Sequence, residues 1–425
     1  MTDAGAPARP DDAAPADGPT PASSRAPSLL PYQGLFALGS ASISAVIALL
    51  GELRDSIGMS DLGAGVVVMA GFVAALVALV TLAPLADRGH GPRMVQIGLV
   101  LGAAGLLLMA VAPSPVVFVA GRAITGFGEG MILPGVRRVA AVMDPSRVAE
   151  NLGRLMVGEV VGMISGPVIA GALAGIGSLR TPLLFFAVAH LAYLPLAFRL
   201  PADHGQKARA GQGSLDLLRR RAFVGSLVMI GGYLMLLGAI EAVIPLQLSD
   251  EGTSTFGIGL TFAAFALPLA AVSRIGGRSA DRIGNLRQTV IGLAVIAVLT
   301  PSLAFTDGLV PVLVLFALYG LTDGFAFTAA QSVVSSSVPE ERQAAALGLS
   351  GAVEVGAAGF AALPAAAVYS HLGETVLWFG VTVVMLALVG GGAWLVRSGR
   401  ARAAAVALAS GSTGDGGPAV APAAA

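Results

Sequence analysis

The sequence has no cysteine and a single lysine, Lys207, among 425 residues. Disulfide frameworks, thiolate metal sites and cysteine nucleophiles are therefore excluded. Charge is scarce as well. Only 12% of the residues are charged, about half the usual share of a soluble domain. The 25 basic and 25 acidic residues cancel, so the basic excess of a nucleic-acid binder is missing. So few charges do not cover the surface of a soluble chain of this length. There are four histidines and no His-Glu-x-x-His pair, and no Gly-x4-Gly-Lys-Ser/Thr segment. Neither a metal nor a nucleotide cofactor is expected. Ser335-Ser336-Ser337 has no nearby histidine and reads as a polar helix end rather than a nucleophile. No enzymatic chemistry is visible.

What is present is apolar. Hydrophobic residues make up 55% of the chain, with 57 Gly and 25 Pro, and the mean hydropathy is +0.82. Gly and Pro are tolerated in membrane helices, so the composition describes a polytopic helical membrane protein. Residues 1–30 are an Ala/Pro/Asp tail without a basic region followed by an apolar run. They read as a disordered cytoplasmic tail, not a signal peptide. Residues 399–425 read as a second such tail. Residues 201–221, with Lys207, Arg209, Arg219, Arg220 and Arg221, read as a cytoplasmic linker. It separates an N-terminal half (31–200) from a C-terminal half (222–398).

A bilayer-crossing helix needs about 20 apolar residues. Breakers divide the chain into spans near 33–53, 60–85, 92–112, 116–142, 147–173, 181–200, 222–248, 255–277, 287–306, 309–336, 343–370 and 373–397. The expected fold is thus an all-α membrane protein with twelve transmembrane helices in two pseudo-symmetric six-helix halves. With both termini cytoplasmic, Arg54 and Arg180 are the basic residues that fall outside, and Arg122 lies within a span. This matches the cytoplasmic excess of Lys and Arg seen in membrane proteins.

The halves repeat with an offset of 194 residues, Asp87 to Asp281. In the same register Gly126 matches Gly320, Glu129 matches Asp323, Gly130 matches Gly324 and Pro145 matches Pro339. One residue later in offset, Gly153 matches Gly348 and Glu159 matches Glu354. Parallel repeats of this kind are a known transporter layout, with the substrate path between the halves.

Across residues 31–398 the chain resembles the major facilitator superfamily. Asp87-Arg88-Gly89-His90-Gly91-Pro92-Arg93 resembles that family's Gly-xxx-Asp-Arg-x-Gly-xx-Arg loop, with Ala83 and His90 at two Gly positions. The second copy, Gly277 to Arg287 with Asp281 and Arg282, fits fully. Arg122-Ala123-Ile124-Thr125-Gly126 resembles Arg-xx-Gln-Gly, with Thr125 for Gln. Gly153, Gly162, Gly166-Pro167 and Ala170-Gly171 resemble the antiporter motif of the fifth span, with one Gly replaced by Ala. The resemblance implies a drug/proton antiporter rather than a symporter. The placement of Asp323 and Glu354 is also similar to that in vesicular amine transporters.

Glu129, Glu159, Glu241, Asp323, Glu354 and Arg122 lie within spans. Charges inside a membrane are costly and usually face a water-filled path. From the rise per residue, Glu129 and Asp323 lie ~20 Å, and Glu159 and Glu354 ~21–24 Å, from the outer ends of their spans. Arg122 and Glu241 come out shallower, at ~10 Å. Four carboxylates thus share the midplane with no cation at their level, and they cannot all be ionised there. Glu129, Asp323, Glu159 and Glu354 are the candidates for proton coupling. Arg122 and Glu241 are candidates for substrate binding, with Tyr233, Tyr319, Phe327 and Gln331, which share helix stripes with Glu241 or Asp323. An acid beside aromatics suits a cation. Core packing is the plainer account of the aromatics, structural pairing that of Arg122, and snorkelling that of Glu241.

Two readings stand for the motifs. Gly158, Gly162 and Gly166 with Pro167 form either a cavity-shaping bend or a tight packing face. Asp87, Arg88, Asp281 and Arg282 form either a latch that breaks during alternating access or an orientation signal. The expectation is a proton-coupled exporter of small lipophilic, cationic or weakly basic molecules. Its partners are the small-molecule substrate, protons and the bilayer, without nucleic acid, and it acts as a monomer. The Arg-rich composition points to a bacterial cytoplasmic membrane. A symporter importing a sugar, organic acid or other nutrient is the alternative, and a non-transporting membrane sensor a third.

Overall fold

The computed structural model describes residues 30–143, 148–200 and 214–411. Most of the two tails, Pro145 of the repeat and residues 201–213 of the linker lie outside the described residues. Among the described residues every regular element is helical. In the N-terminal half these are α1 (Leu30–Ala48, extended by Leu50–Ser56), α2 (Asp61–Leu85), α3 (Gly91–Ala110), α4 (Pro115–Met143), α5 (Val148–Ile176) and α6 (Arg180–Ala197). In the C-terminal half they are α7 (Arg221–Asp250), α8 (Thr255–Ile283), α9 (Asn285–Leu299, continued by the 3-10 turns of Thr300–Phe305) and α10 (Leu309–Ser336). The last helical element, Gln343–Gly411, is broken at Gly373, whose φ of 82° is left-handed. This divides it into α11 (343–372) and α12 (374–411), giving twelve lengths that can cross a bilayer. The helix continues well past residue 398, where the sequence suggested a tail, because Ala and Arg dominate that stretch and both are strong helix formers.

Glycines set how closely the helices pack. Gly126 of α4 lies on the backbone of Gly71 in α2, and Gly130 lies on that of Ala75. The second half repeats both contacts at the same offset: Gly320 of α10 lies on Phe265 of α8, and Gly324 on Leu269. The repeat in the sequence is therefore a repeat of helix contacts. Gly158, Gly162 and Gly166 of α5 lie on the backbones of Gln33, Ala37 and Ala41 in α1. That face is a packing seam, and α5 runs on as a continuous helix through Pro167.

One end of the bundle is tied across the halves. Arg54 donates to Asp250 at 2.5 and 3.3 Å, and the backbone N–H and hydroxyl of Thr255 both donate to Glu52. Asp250, foremost, together with Asp55 and Asp61, holds the Arg54 guanidinium above its ordinary pKa, against the opposing effect of burial. Gly51 against Pro245 and Ser249, and Gly171 against Phe256, pack the same end. Among the described residues, all hydrogen bonds between the two halves lie here. At the other end, the linker's short 3-10 helix, Ser214–Arg219, docks on the C-terminal half. Leu217 is buried among Phe223, Leu227, Val334 and Val338, and Arg342 grips Asp216 with bonds of 2.6 and 3.0 Å.

Candidate functional site

Helix α4 places Arg122 and Glu129 on one face, seven residues apart. Arg122 is 2% exposed. Its guanidinium sits in a notch left by Gly71, where a Cβ would come within 2.5 Å of Cζ and Nε. Neither Nε nor Nη1 has a hydrogen-bond partner among the described residues. Glu129 is buried too, and Ser42 of α1 donates to it at 2.9 Å. Arg122 lies within electrostatic reach of Glu129 and, from the other half, Glu241. It forms no contact ion pair with either among the described residues. Oε2 of Glu241 is also buried without a hydrogen-bond partner among the described residues.

These groups border a cavity of about 220 Å³. Its walls include Leu35, Phe36, Ile43 and Phe72 besides Arg122, Glu129 and Glu159, with Val355 the sole wall residue from the second half. Glu159 on α5 is half-buried and within electrostatic reach of Arg137 and of Glu354. Glu354 on α11 accepts from Gln331 at 2.9 Å and Ser350 at 2.8 Å. These acids are therefore not without cations nearby, contrary to the depth estimate. A guanidinium reaches several ångströms from its Cα, so Arg122 and Arg137 bear on acids placed at other depths.

In the C-terminal half Asp323 is buried, the Tyr233 hydroxyl lies against it, and its Oδ1 has no hydrogen-bond partner among the described residues. The rings of Tyr233 and Phe327 are 6.3 Å apart. Tyr319 points elsewhere: its hydroxyl donates to Thr300 at 2.9 Å and its ring packs edge-on to Phe316. Together Tyr233, Phe262, Phe265, Phe316 and Tyr319 nearly fill the space around them.

Arg122, Glu129 and Glu159 thus share one cavity, with Glu241 close to Arg122. Asp323, Tyr233 and Phe327 form a second group, and Gln331 serves Glu354. Ser42 and Gly71 escaped the sequence reading. A lone serine or glycine in an apolar span gives no signal until its neighbour on another helix is known. The two Asp-Arg loops lie at the linker end. Gly89 and Gly284 turn the chain there with φ of 89° and 95°. Arg88, Asp281 and Arg282 are exposed, and the side chain of Asp87 lies outside the described residues. Among the described residues no hydrogen bond or ion pair joins Arg88, Asp281 or Arg282 to a neighbouring helix.

Twelve apolar helices among the described residues, in two repeated halves that each enclose charged groups, define a polytopic membrane transporter. The chain belongs to the Major Facilitator Superfamily, whose family model matches residues 33–362 and 222–422. It is therefore a multi-pass membrane transporter of small molecules and not an enzyme. An uncharacterized MFS-type transporter of Methanocaldococcus jannaschii is 21% identical over 73% of this chain and 82% of its own length. The multidrug resistance protein MdtH of Yersinia pestis is 28% identical over 50% of this chain and 54% of its own. Among solved structures, a bacterial homolog of the human lysosomal transporter Spinster, inward-facing and unoccupied, superposes with a TM-score of 0.73 at 14% identity. That match covers 87% of this chain and 96% of the other.

Proposed function

We propose that the protein is a proton-coupled exporter of small lipophilic, cationic or weakly basic molecules. It works as a monomer in a bacterial cytoplasmic membrane, with both termini and the linker on the cytoplasmic side. The observation that carries this reading is the matched pair of buried acids, Glu129 and Asp323, neither held in a contact ion pair among the described residues. A carboxylate enclosed in a membrane without a contact ion pair is costly to keep ionised, and neutralising it relieves that cost. A proton and a cationic substrate both do so, and they compete for the same group. That competition is antiport. Asp323 beside Tyr233 and Phe327 offers a cation both charge and aromatic faces. In this orientation the tied Arg54 end is the outer one, so the conformation is closed outward. Substrate enters from the cytoplasm, and protons arriving from outside displace it after the halves rock. Similarity to MdtH supports efflux.

Everted, energised vesicles with a pH-sensitive dye test this. Tetraphenylphosphonium should release protons from wild-type vesicles. Asp323→Asn and Glu129→Gln should each abolish that release while the protein remains folded and inserted. Normal proton-driven transport in both variants would defeat the mechanism. Import of an anionic nutrient by symport is the second reading, favoured by the unpartnered nitrogens of Arg122. A response to an organic anion or sugar, with none to cations, would select it.

A further inference from the structure

The cavity beside Arg122 is built for more than a cation. A guanidinium enclosed with two nitrogens unpartnered is a costly arrangement, since buried donors lose water without compensation. The fold nevertheless maintains it. Gly71 supplies the notch, Gly126 and Gly130 hold α2 and α4 together around it, and Ser42 occupies Glu129. The planar fork of arginine matches a carboxylate or similar acceptor pair. Towards the linker end the same cavity meets Glu159, which has no hydrogen bond among the described residues. The Cα depths of Arg122 and Glu159 differ by about 11–14 Å, and the wall between is apolar. At about 220 Å³, the cavity is below the ~300–1,000 Å³ usual for drug-sized ligands. It suits a slender molecule.

We propose that this cavity takes amphoteric molecules: an acidic end on the Arg122 guanidinium, an apolar body along Phe36, Ile43 and Phe72, and an ammonium end at Glu159. The proposal rests on reading the cavity as the substrate site and narrows the substrate class. Carboxyl-bearing lipophilic amines should then be favoured over plain amines.

Three probes share the ammonium end and differ at the acidic one: 4-(4-aminobutyl)benzoic acid, its methyl ester, and 4-phenylbutylamine. Binding is measured by calorimetry on the full chain in nanodiscs. The acid should bind at least tenfold more tightly than the other two. Arg122→Gln should weaken the acid about tenfold and leave the ester and amine within about twofold. Gly71→Ala keeps the charge but pushes the guanidinium aside, and should do the same. Arg122→Lys should recover part of the loss. Thermal melting confirms that each variant is folded, and the Gly71 and Lys variants keep the test decisive if Arg122→Gln is not. Equal affinity for acid and ester, equal loss for all three probes in the Arg122 and Gly71 variants, or no binding of any probe to the wild type would overturn the proposal. Asp323-dependent proton release by tetraphenylphosphonium is read separately, so export by antiport stands or falls independently.

Discussion

Asp250→Asn should shift the protein towards the state in which the Arg54 end is open. Arg54 meets Asp55 at 2.8 Å, Asp61 at 2.7 Å and Asp250 at 2.5 Å. Asp55 and Asp61 belong to the same half as Arg54, so only Asp250 carries the pair across the interface. The amide keeps an acceptor oxygen and loses the charge. An exposed ion pair is worth about 0.2–1 kcal/mol, and stripping one partner from a buried pair costs about 3–5 kcal/mol. The Arg54 side chain is 10% exposed and that of Asp250 is 43% exposed, so solvent screens the pair and the cost falls near 1–2 kcal/mol. That is about a 5–30-fold change in the ratio of closed to open populations. The absence of cysteine makes the assay direct. Spin labels at Ser56→Cys and Ser302→Cys, both exposed positions at this end, report the separation of the halves by pulsed dipolar spectroscopy. Asp250→Asn should enrich the longer distances. Asp55→Asn should not, and high salt should act on the wild type in the direction of the Asp250 variant. Unchanged distances in Asp250→Asn, or an equal shift in Asp55→Asn, would refute the latch.

Three further outcomes follow from the packing. Gly162→Val drives a side chain into the Ala37 backbone and should cost about 1–3 kcal/mol as overpacking. Gly380→Val, at an exposed position with open space around it, should leave the melting temperature in detergent near that of the wild type. Thr300→Val strands the buried Tyr319 hydroxyl and should cost about 1–3 kcal/mol. Transport by the folded fraction should persist, and its loss would return Tyr319 to the substrate site. At the linker, the Arg342 hydrogen bond holds the Asp216 carboxyl below its ordinary pKa. The docked form is therefore fully favoured above the usual aspartate value of about 3.9 and loses this support as pH falls through the depressed one. Protection factors of the amides of residues 214–219, taken relative to the slower intrinsic exchange in acid, should fall on such acidification, and Arg342→Gln should lower them at neutral pH.

The helices were legible because membrane spans announce themselves by length. The predicted span 309–336 coincides with α10, and 116–142 differs from α4 by a residue at each end. The division near residue 373 was legible too, as a breaker between two apolar runs. Less visible was the helix beyond residue 398, where apolar character ends but helix propensity does not. The acids of the site were legible as rare charges in apolar runs. Their environments were not. A sequence period shows which residues share a helix face, whereas Ser42 on Glu129 and Gly71 under Arg122 are contacts between helices. The depth estimate followed Cα positions, and long guanidinium side chains carried Arg122 and Arg137 away from theirs. Tyr319 shares a stripe with Asp323, yet its hydroxyl is taken by Thr300.

The repeat explains why the two halves are not interchangeable. At the shared offset Glu129 corresponds to Asp323, so each half has its buried acid. Around the acids the residues diverge. Gly39, Gly71 and Arg122 of the first half correspond to Tyr233, Phe265 and Phe316 of the second. Two glycines leave space in the first half, and the result is a charged cavity of about 220 Å³. Two aromatic rings take that space in the second half, a third replaces the arginine, and the pocket there is nearly filled. Equal helix contacts thus support unequal chemistry. The first half supplies volume and a desolvated cation, while the second supplies an acid stacked among rings. A substrate that bridges them meets both kinds of surface. Rocking the halves apart at the Arg54 end would change the distance between those surfaces without rebuilding either one.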